Sequence, residues 1–212
     1  MIPRKELLNK INRALGRSQV TALLGPRQCG KSTLARLIAG KTKARYFDLE
    51  AQADLRSLEQ PHLALENLKG LVIIDEIQRM PALFPELRVL SDRKPLPARF
   101  LILGSSSPEL IRKSSETLAG RIEFIEMGGF SLSETGKGKL EPLWIRGGFP
   151  RSFLARDDMD SRDWRENFTQ TFLERDLPSI GITIPSASIR RFWMMLAHYH
   201  GQIWNASEIG RS

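Results

Sequence analysis

Eight residues, Gly25-Pro26-Arg27-Gln28-Cys29-Gly30-Lys31-Ser32, carry the spelling G-x-x-x-x-G-K-[ST]. That spelling suits a loop that holds phosphate. Glycines let successive backbone N–H groups turn inward into a concave nest for anionic oxygens. Lys31 is long enough to reach the β- and γ-phosphates, and the Ser32 hydroxyl is a ligand for Mg²⁺. A helix opening at Lys31 and running through Thr33 would point the positive end of its dipole at the same anion. Residues 25–33 are therefore the expected nucleotide contacts. Cys29 occupies a variable position of the loop and has no histidine near it in sequence, so a catalytic thiol is not supported.

A second group of reactive residues follows the apolar run Gly70-Leu-Val-Ile-Ile74, which ends directly in Asp75-Glu76. Two carboxylates at the end of a buried strand suit two tasks at a triphosphate. Asp75 would hold the Mg²⁺ shell, partly through water, and Glu76 would polarise the attacking water. The blander reading is a solvated turn. Two further side chains are candidates. Ser105 follows the run Arg99-Phe-Leu-Ile-Leu103 and could sense the γ-phosphate, or belong to a serine-rich helix cap before Pro108. Arg121 stands at the start of another apolar run, where its guanidinium could meet a bound phosphate or a neighbouring subunit, or simply form a salt bridge.

The elements that must position these residues alternate between strand and helix. Val20–Leu24 and Gly70–Ile74 read as short buried strands, and Ala44–Leu49, Arg99–Leu103 and Ile122–Glu126 as further strands. Between them lie a helix over 33–39 closed by Gly40, a helical stretch over 51–68 interrupted by Pro61, and helices over 83–91 and 109–118. An amphipathic helix over 3–16 precedes the first strand. Leu7, Leu8, Ile11 and Leu15 share one face, with Arg4, Lys5, Lys10 and Arg13 on the solvated one. From residue 135 the texture changes to a Gly-Lys linker, then a helix over 159–177 ended by Pro178 and another over 186–200. Their aromatic residues read as core at helical spacing. The division expected is 1–135 for a nucleotide-binding α/β domain and 136–212 for a helical appendage.

Composition sets the outer limits. The chain has 212 residues, one cysteine and a formal net charge of +8. A single cysteine excludes an internal disulfide framework and fits a reducing compartment, so a cytoplasmic location is expected. No apolar run reaches membrane-spanning length, and no membrane partner is expected. Residues 1–45 hold eleven Lys or Arg against one acid, Glu6. Such an excess suits a polyanion, either the nucleotide itself or weak, sequence-indifferent contact with nucleic acid. His62, His198 and His200 make no metal cluster.

The stretches LLGPRQCGKST (23–33), LVIIDEIQRMP (71–81), LILGSSSPEL (101–110), LAGRIEFIEM (118–127) and GGFP (147–150) together resemble the prokaryotic AAA+ ATPases. The group in question is uncharacterised and carries a C-terminal domain of unknown function. The resemblance implies a P-loop three-layer α/β sandwich with a five-stranded parallel sheet in the order 5-1-4-3-2. It also implies ATP as nucleotide, ADP as product and assembly into homo-oligomers. In longer relatives the HYHGQIWNASEIGRS end continues into a winged-helix-like unit. The appendage is therefore expected to be truncated, with Ile203, Trp204 and Ile209 uncovered, and sequence-specific DNA binding is not expected. Mg²⁺-dependent ATP hydrolysis is the leading functional reading. The alternatives are a slow nucleotide-dependent switch or an interaction module, associated with DNA or with an unidentified protein partner.

Overall fold

The five segments do form strands, and the three that pair on both sides are the most deeply buried. In the computed structural model, which describes residues 2–105, 107–179, 181–203 and 205–210, β1 (Val20–Leu24) is buried at every residue. It lies between two other strands and has helices on both faces. The remaining strands are β2 (Arg45–Asp48), β3 (Gly70–Asp75), β4 (Ala98–Gly104) and β5 (Ile122–Glu126). All pairs are parallel, and the order is β2-β3-β4-β1-β5. This is the expected 5-1-4-3-2 order read from the other edge. Because every strand runs the same way, all five carboxyl ends share one edge, where a doubly wound sheet places its ligands.

Each face of the sheet closes its own core. On one side, α1 (Lys5–Arg17) and α2 (Lys31–Thr42) cover Leu23, Ile73, Leu101, Leu103 and Ile125 with Ile11, Ala14, Leu34 and Ile38. On the other side, α3 (Gln52–Ser57), α4 (Pro61–Glu66), α5 (Leu83–Ser91) and α6 (Pro108–Thr117) flank a cluster built on Val20, Val72, Ile74, Phe100 and Ile102. Pro61 occupies the first turn of α4, the one helical position where its missing N–H costs nothing.

Three local expectations are corrected. Helix α2 does not stop at Gly40 but runs to Thr42, capped by Lys43 in the left-handed region at φ 53°. Burial of Leu34 and Ile38 outweighs the roughly 1 kcal/mol that an internal glycine costs. Pro178 does not end its helix either. The helix Asp158–Thr171 widens into a π turn over Phe172–Asp176, where the Leu177 N–H reaches the Phe172 carbonyl, and helical backbone resumes over Leu177–Ser179. The wider turn moves the preceding carbonyls away from the proline ring that would clash with them. Finally, Arg4 is not on a solvated face. It is 9% exposed, and its guanidinium holds Glu134 at 2.6 Å and the carbonyls of Gly128 and Gly129 at 3.0 Å each.

That clamp helps to explain where the chain divides. The compact units are Met1–Ala155 and Arg156–Ser212, so the first extends past the Gly-Lys stretch at 136–139. Besides Arg4, the Phe130 N–H donates to the Gly148 carbonyl at 2.6 Å, and Phe130 meets Phe153 edge to face. Within the second unit, Leu173, Leu177 and Ile189 form a small core. Beside it Trp164, Phe168, Phe172 and Trp193 stack in series, with ring centroids 5.0, 6.2 and 5.7 Å apart. Asn205 accepts the Ser207 N–H at 3.1 Å at the start of the short helix Ala206–Ile209. Ile203 is 96% exposed, and Trp204 lies outside the described residues. No described helix is long and apolar enough to cross a membrane.

Candidate nucleotide site

The phosphate loop connects β1 to α2, and its backbone is shaped by contacts that leave no room for larger residues. Gly25 sits against the residue that follows β5: a Cβ there would stand 2.1 Å from the Met127 carbonyl oxygen. Gly30, the residue before α2, takes φ 98°, a value that favours glycine. Gln28 also adopts the left-handed region at φ 62°. Pro26 and Gln28 are exposed, Arg27 and Gly30 half-buried, and Thr33 points outward on the first turn of α2. Arg27 approaches Glu50 at 4.0 Å.

Lys31 is 5% exposed, and its ammonium donates to the carbonyls of Gly25 and Pro26, each at 2.9 Å. Those partners are dipoles rather than anions, so the folded loop holds a buried positive charge over a nest of backbone. Cys29 packs beneath, with its thiol 3.5 Å from the Met127 carbonyl. Burial pushes that thiol up against the opposing pull of Lys31, which marks it as packing rather than as a nucleophile.

The carboxylate pair arrives from β3, two strands from β1. Asp75 is 2% exposed. Its Oδ1 accepts the Glu76 N–H at 3.0 Å, and its Oδ2 accepts the Tyr46 hydroxyl at 2.6 Å. Burial, and then the Asp75 carboxylate itself, pushes the Tyr46 phenol above its ordinary value, so the phenol is the proton donor of the pair. Glu76 adopts φ 57°, and this left-handed residue turns the chain into the 3-10 segment Ile77–Arg79. The turn folds Gln78 back so that its amide donates to the Glu76 carboxylate. Burial raises the Glu76 carboxyl above its usual range, opposed by the Gln78 hydrogen bond and by Lys31 and assisted by Asp75 and Glu50.

Residues 25–33, Asp75, Glu76 and Ser105 thus share the carboxyl edge of the sheet. Leu24 pairs with Gly104, so Gly25 and Ser105 leave neighbouring strands at the same level. Ser105 is half-buried. The helix-capping task belongs instead to Ser107, whose hydroxyl accepts the Leu110 N–H at 3.3 Å.

Arg121 is not brought to this edge. It precedes β5, and its carbonyl accepts the Val20 N–H at 3.0 Å at the opposite end of the sheet. Five strand residues, about 16 Å at ~3.3 Å per residue, separate that level from the loop. Its guanidinium is engaged in a fork with Asp92, at 2.6 and 2.9 Å. The salt bridge to Asp92 describes its place in this chain, at the end of β5 away from the phosphate loop. Among the described residues no cluster of three His, Cys, Asp or Glu could hold a metal by itself.

Sequence reasoning did not reach Tyr46, Gln78 or Arg4. Nothing local flags Tyr46 or Arg4. Gln78 had a faint signal, since the only polar uncharged residue within two positions of the carboxylate pair is well placed to fold back on it.

A strand, glycine loop and helix joined to an acidic pair on a nearby parallel strand define a P-loop nucleotide-binding protein. Residues 17–136 match the model of the AAA domain family, and the chain belongs to that family. Residues 137–212 match a domain of unknown function. The chain is 50% identical over all 212 of its residues to two uncharacterised proteins, Rv2008c of Mycobacterium tuberculosis and Mb2031c of Mycobacterium bovis. It covers 48% of each, and so spans about half the length of the curated relatives it matches. Among solved structures it is similar to the Walker-type ATPase PABY2304 of Pyrococcus abyssi. The TM-score is 0.61 at 16% identity, over 85% of this chain and 75% of that one, a likeness of fold.

Proposed function

We propose that the chain binds ATP with Mg²⁺ and hydrolyses it at the carboxyl edge of its sheet. The observation that supports this most is the meeting at one edge of a buried lysine, whose ammonium is held by two backbone carbonyls, and an acidic pair, Asp75 buried and Glu76 half-buried, each held by donors. The nucleotide would give Lys31 its anionic partner, exchanging two carbonyl dipoles for phosphate oxygens. ATP rather than another nucleotide rests on the family.

The residues present fit Mg²⁺. Asp75 and the Ser32 hydroxyl are hard oxygen donors, and each Asp75 oxygen keeps a lone pair beyond the one its hydrogen bond uses. The ion would supply charge neutralisation at the β- and γ-phosphate oxygens. The protein does the rest. Loop N–H groups and the start of α2 hold the triphosphate, Lys31 neutralises it, and Glu76 orients the attacking water and accepts its proton. Ser105, at the tip of the central strand β4, would contact the γ-phosphate. Exposed Lys5, Lys10 and Arg13 on α1 would support weak, salt-sensitive contact with nucleic acid. The cytoplasmic location, the homo-oligomer, the partner protein and the division at residue 135 are expectations of the same reading.

The test is phosphate release from Mg-ATP, alongside equilibrium binding of a fluorescent ATP analogue, with and without duplex DNA. Binding together with release that Glu76→Gln suppresses is expected. Binding without release above the blank would favour the slow switch, and no binding at millimolar nucleotide would remove the proposal.

A further inference from the structure

The edge strand β2 contributes a residue that the glycine loop and the acidic pair do not account for. Its sequence, Arg45-Tyr46-Phe47-Asp48, alternates across the sheet, with Phe47 buried in the core on one face and Tyr46 packed on the other. The register pairs Tyr46 with Ile73 and Asp48 with Asp75. Paired residues of parallel strands share a face, so Tyr46, Asp48, Ile73 and Asp75 all project toward α2. Asp75 is therefore the diagonal neighbour of Tyr46. That separation of about 7–8 Å is too long for a short side chain and within reach of an aromatic one. The hydroxyl at the end of the ring closes the gap and donates to Asp75 Oδ2 at 2.6 Å.

The ring is held in turn. Arg36, from α2, places its guanidinium 5.2 Å from the ring centroid and reaches Asp48 at 3.4 Å. Asp75 is consequently fixed at both oxygens, Oδ1 by the Glu76 N–H and Oδ2 by a tyrosine itself packed between helix and sheet. One bond would leave the carboxylate free to swing about it. Two bonds set its plane and decide which lone pairs face the loop.

We propose that Tyr46 is a positioning residue for the metal-bound nucleotide, holding Asp75 in the orientation that receives the Mg²⁺ shell. This rests on the reading of the site as one for Mg-ATP. Partners of this kind, one bond removed from a metal, typically contribute 10- to 100-fold to metal affinity or activity.

The test uses the whole chain and the non-hydrolysable β,γ-imido analogue of ATP, titrated by calorimetry with Mg²⁺ and again with EDTA. Tyr46→Phe keeps the ring and its packing and removes one oxygen. It is expected to weaken the Mg²⁺-dependent affinity about tenfold, to leave the EDTA affinity within about twofold, and to have no further effect once Asp75→Asn is present. A second readout does not depend on that variant. The chain has only two tyrosines, Tyr46 and Tyr199. Fluorotyrosine incorporation into the Tyr199→Phe protein therefore gives a single ¹⁹F resonance. It should move when Mg²⁺ joins the analogue complex, and stay still with Asp75→Asn. An equal loss of affinity with and without metal, no loss at all, or a resonance indifferent to Mg²⁺ would each overturn the proposal while nucleotide binding stands. A wild-type chain that binds no analogue would overturn the functional reading and this inference together.

Discussion

The amide of Gln78 donates a hydrogen bond to the carboxylate of Glu76 two residues earlier, across a turn that Glu76 itself makes by adopting φ 57°. A non-glycine residue in that region is strained by about 1–2 kcal/mol, and the fold keeps it where the turn aims a carboxylate back along the edge of the sheet. Glu76→Gln is expected to leave ATP binding intact and to lower turnover at least about tenfold, because orienting water lowers the barrier while the triphosphate is held elsewhere. Gln78→Leu should lower turnover by a smaller factor, since the carboxylate remains but loses its tether. The melting temperature should change little, because the lost hydrogen bond to Glu76 is offset by removal of Gln78 Oε1, which is buried and finds no donor among the described residues. Phosphate release and thermal melts of the two variants check this, and parental turnover in Glu76→Gln would exclude Glu76 as the water-orienting group.

Lys31 lies between two carbonyls of its own loop at 2.9 Å and is almost wholly buried. Lys31→Ala should weaken ATP binding by about 10- to 100-fold, the worth of a hydrogen bond to a charged group. Lys31→Arg should fail as well, because a planar guanidinium does not fit the space of a compact ammonium. Titration with a fluorescent ATP analogue reads both. A substituted protein that binds as the parent does would disprove the role.

Arg121 and Asp92 pair at the far edge of the sheet. Arg121→Ala should leave turnover within about twofold when the protein is dilute, an expectation set against the effect of about 10³-fold that an arginine acting on the transition state commands. Assays across a wide range of protein concentrations distinguish the cases. A loss that appears only at high concentration would mean that a second copy presents this edge to the site.

Arg4 and Glu134 tie α1 to the segment after β5, with side chains 10% and 12% exposed. Arg4→Met should destabilise the Met1–Ala155 unit by about 3 kcal/mol, the cost of leaving a buried charge unpaired. Burial works to raise Glu134, but Arg4 and the Ser131 N–H outweigh it and hold its carboxyl below the ordinary range. A depressed carboxyl stabilises the fold above its unfolded value and loses that contribution as pH falls through the folded one. The stability gap between the wild type and Glu134→Gln should therefore be constant from about pH 7 to 5 and close below about pH 4. Urea melts across this range provide the check, and a gap that widens on acidification would contradict it.

The glycine loop, the acidic pair and the five strands were legible because each is written in neighbouring residues. Val20–Leu24, interrupted only by Thr21, and Gly70–Ile74 announce themselves as apolar runs, and a G-x-x-x-x-G-K-S spelling needs only a strand before it and a helix after it. The misplaced helix ends at Gly40 and Pro178 followed local propensity, which burial of Leu34 and Ile38 and a widened turn overrode. Arg121 was half legible: its place before β5 was plain, and an all-parallel sheet sends that end away from the loop. What only the tertiary structure decided are the partnerships through space. Tyr46 meets Asp75 because β2 pairs with β3 in one particular register. Arg4 is buried because the segment after β5 folds back over the start of α1. Such contacts join residues tens of positions apart, and a shift of one residue in register would turn every side chain of β2 to the other face. No periodicity within a single segment encodes them.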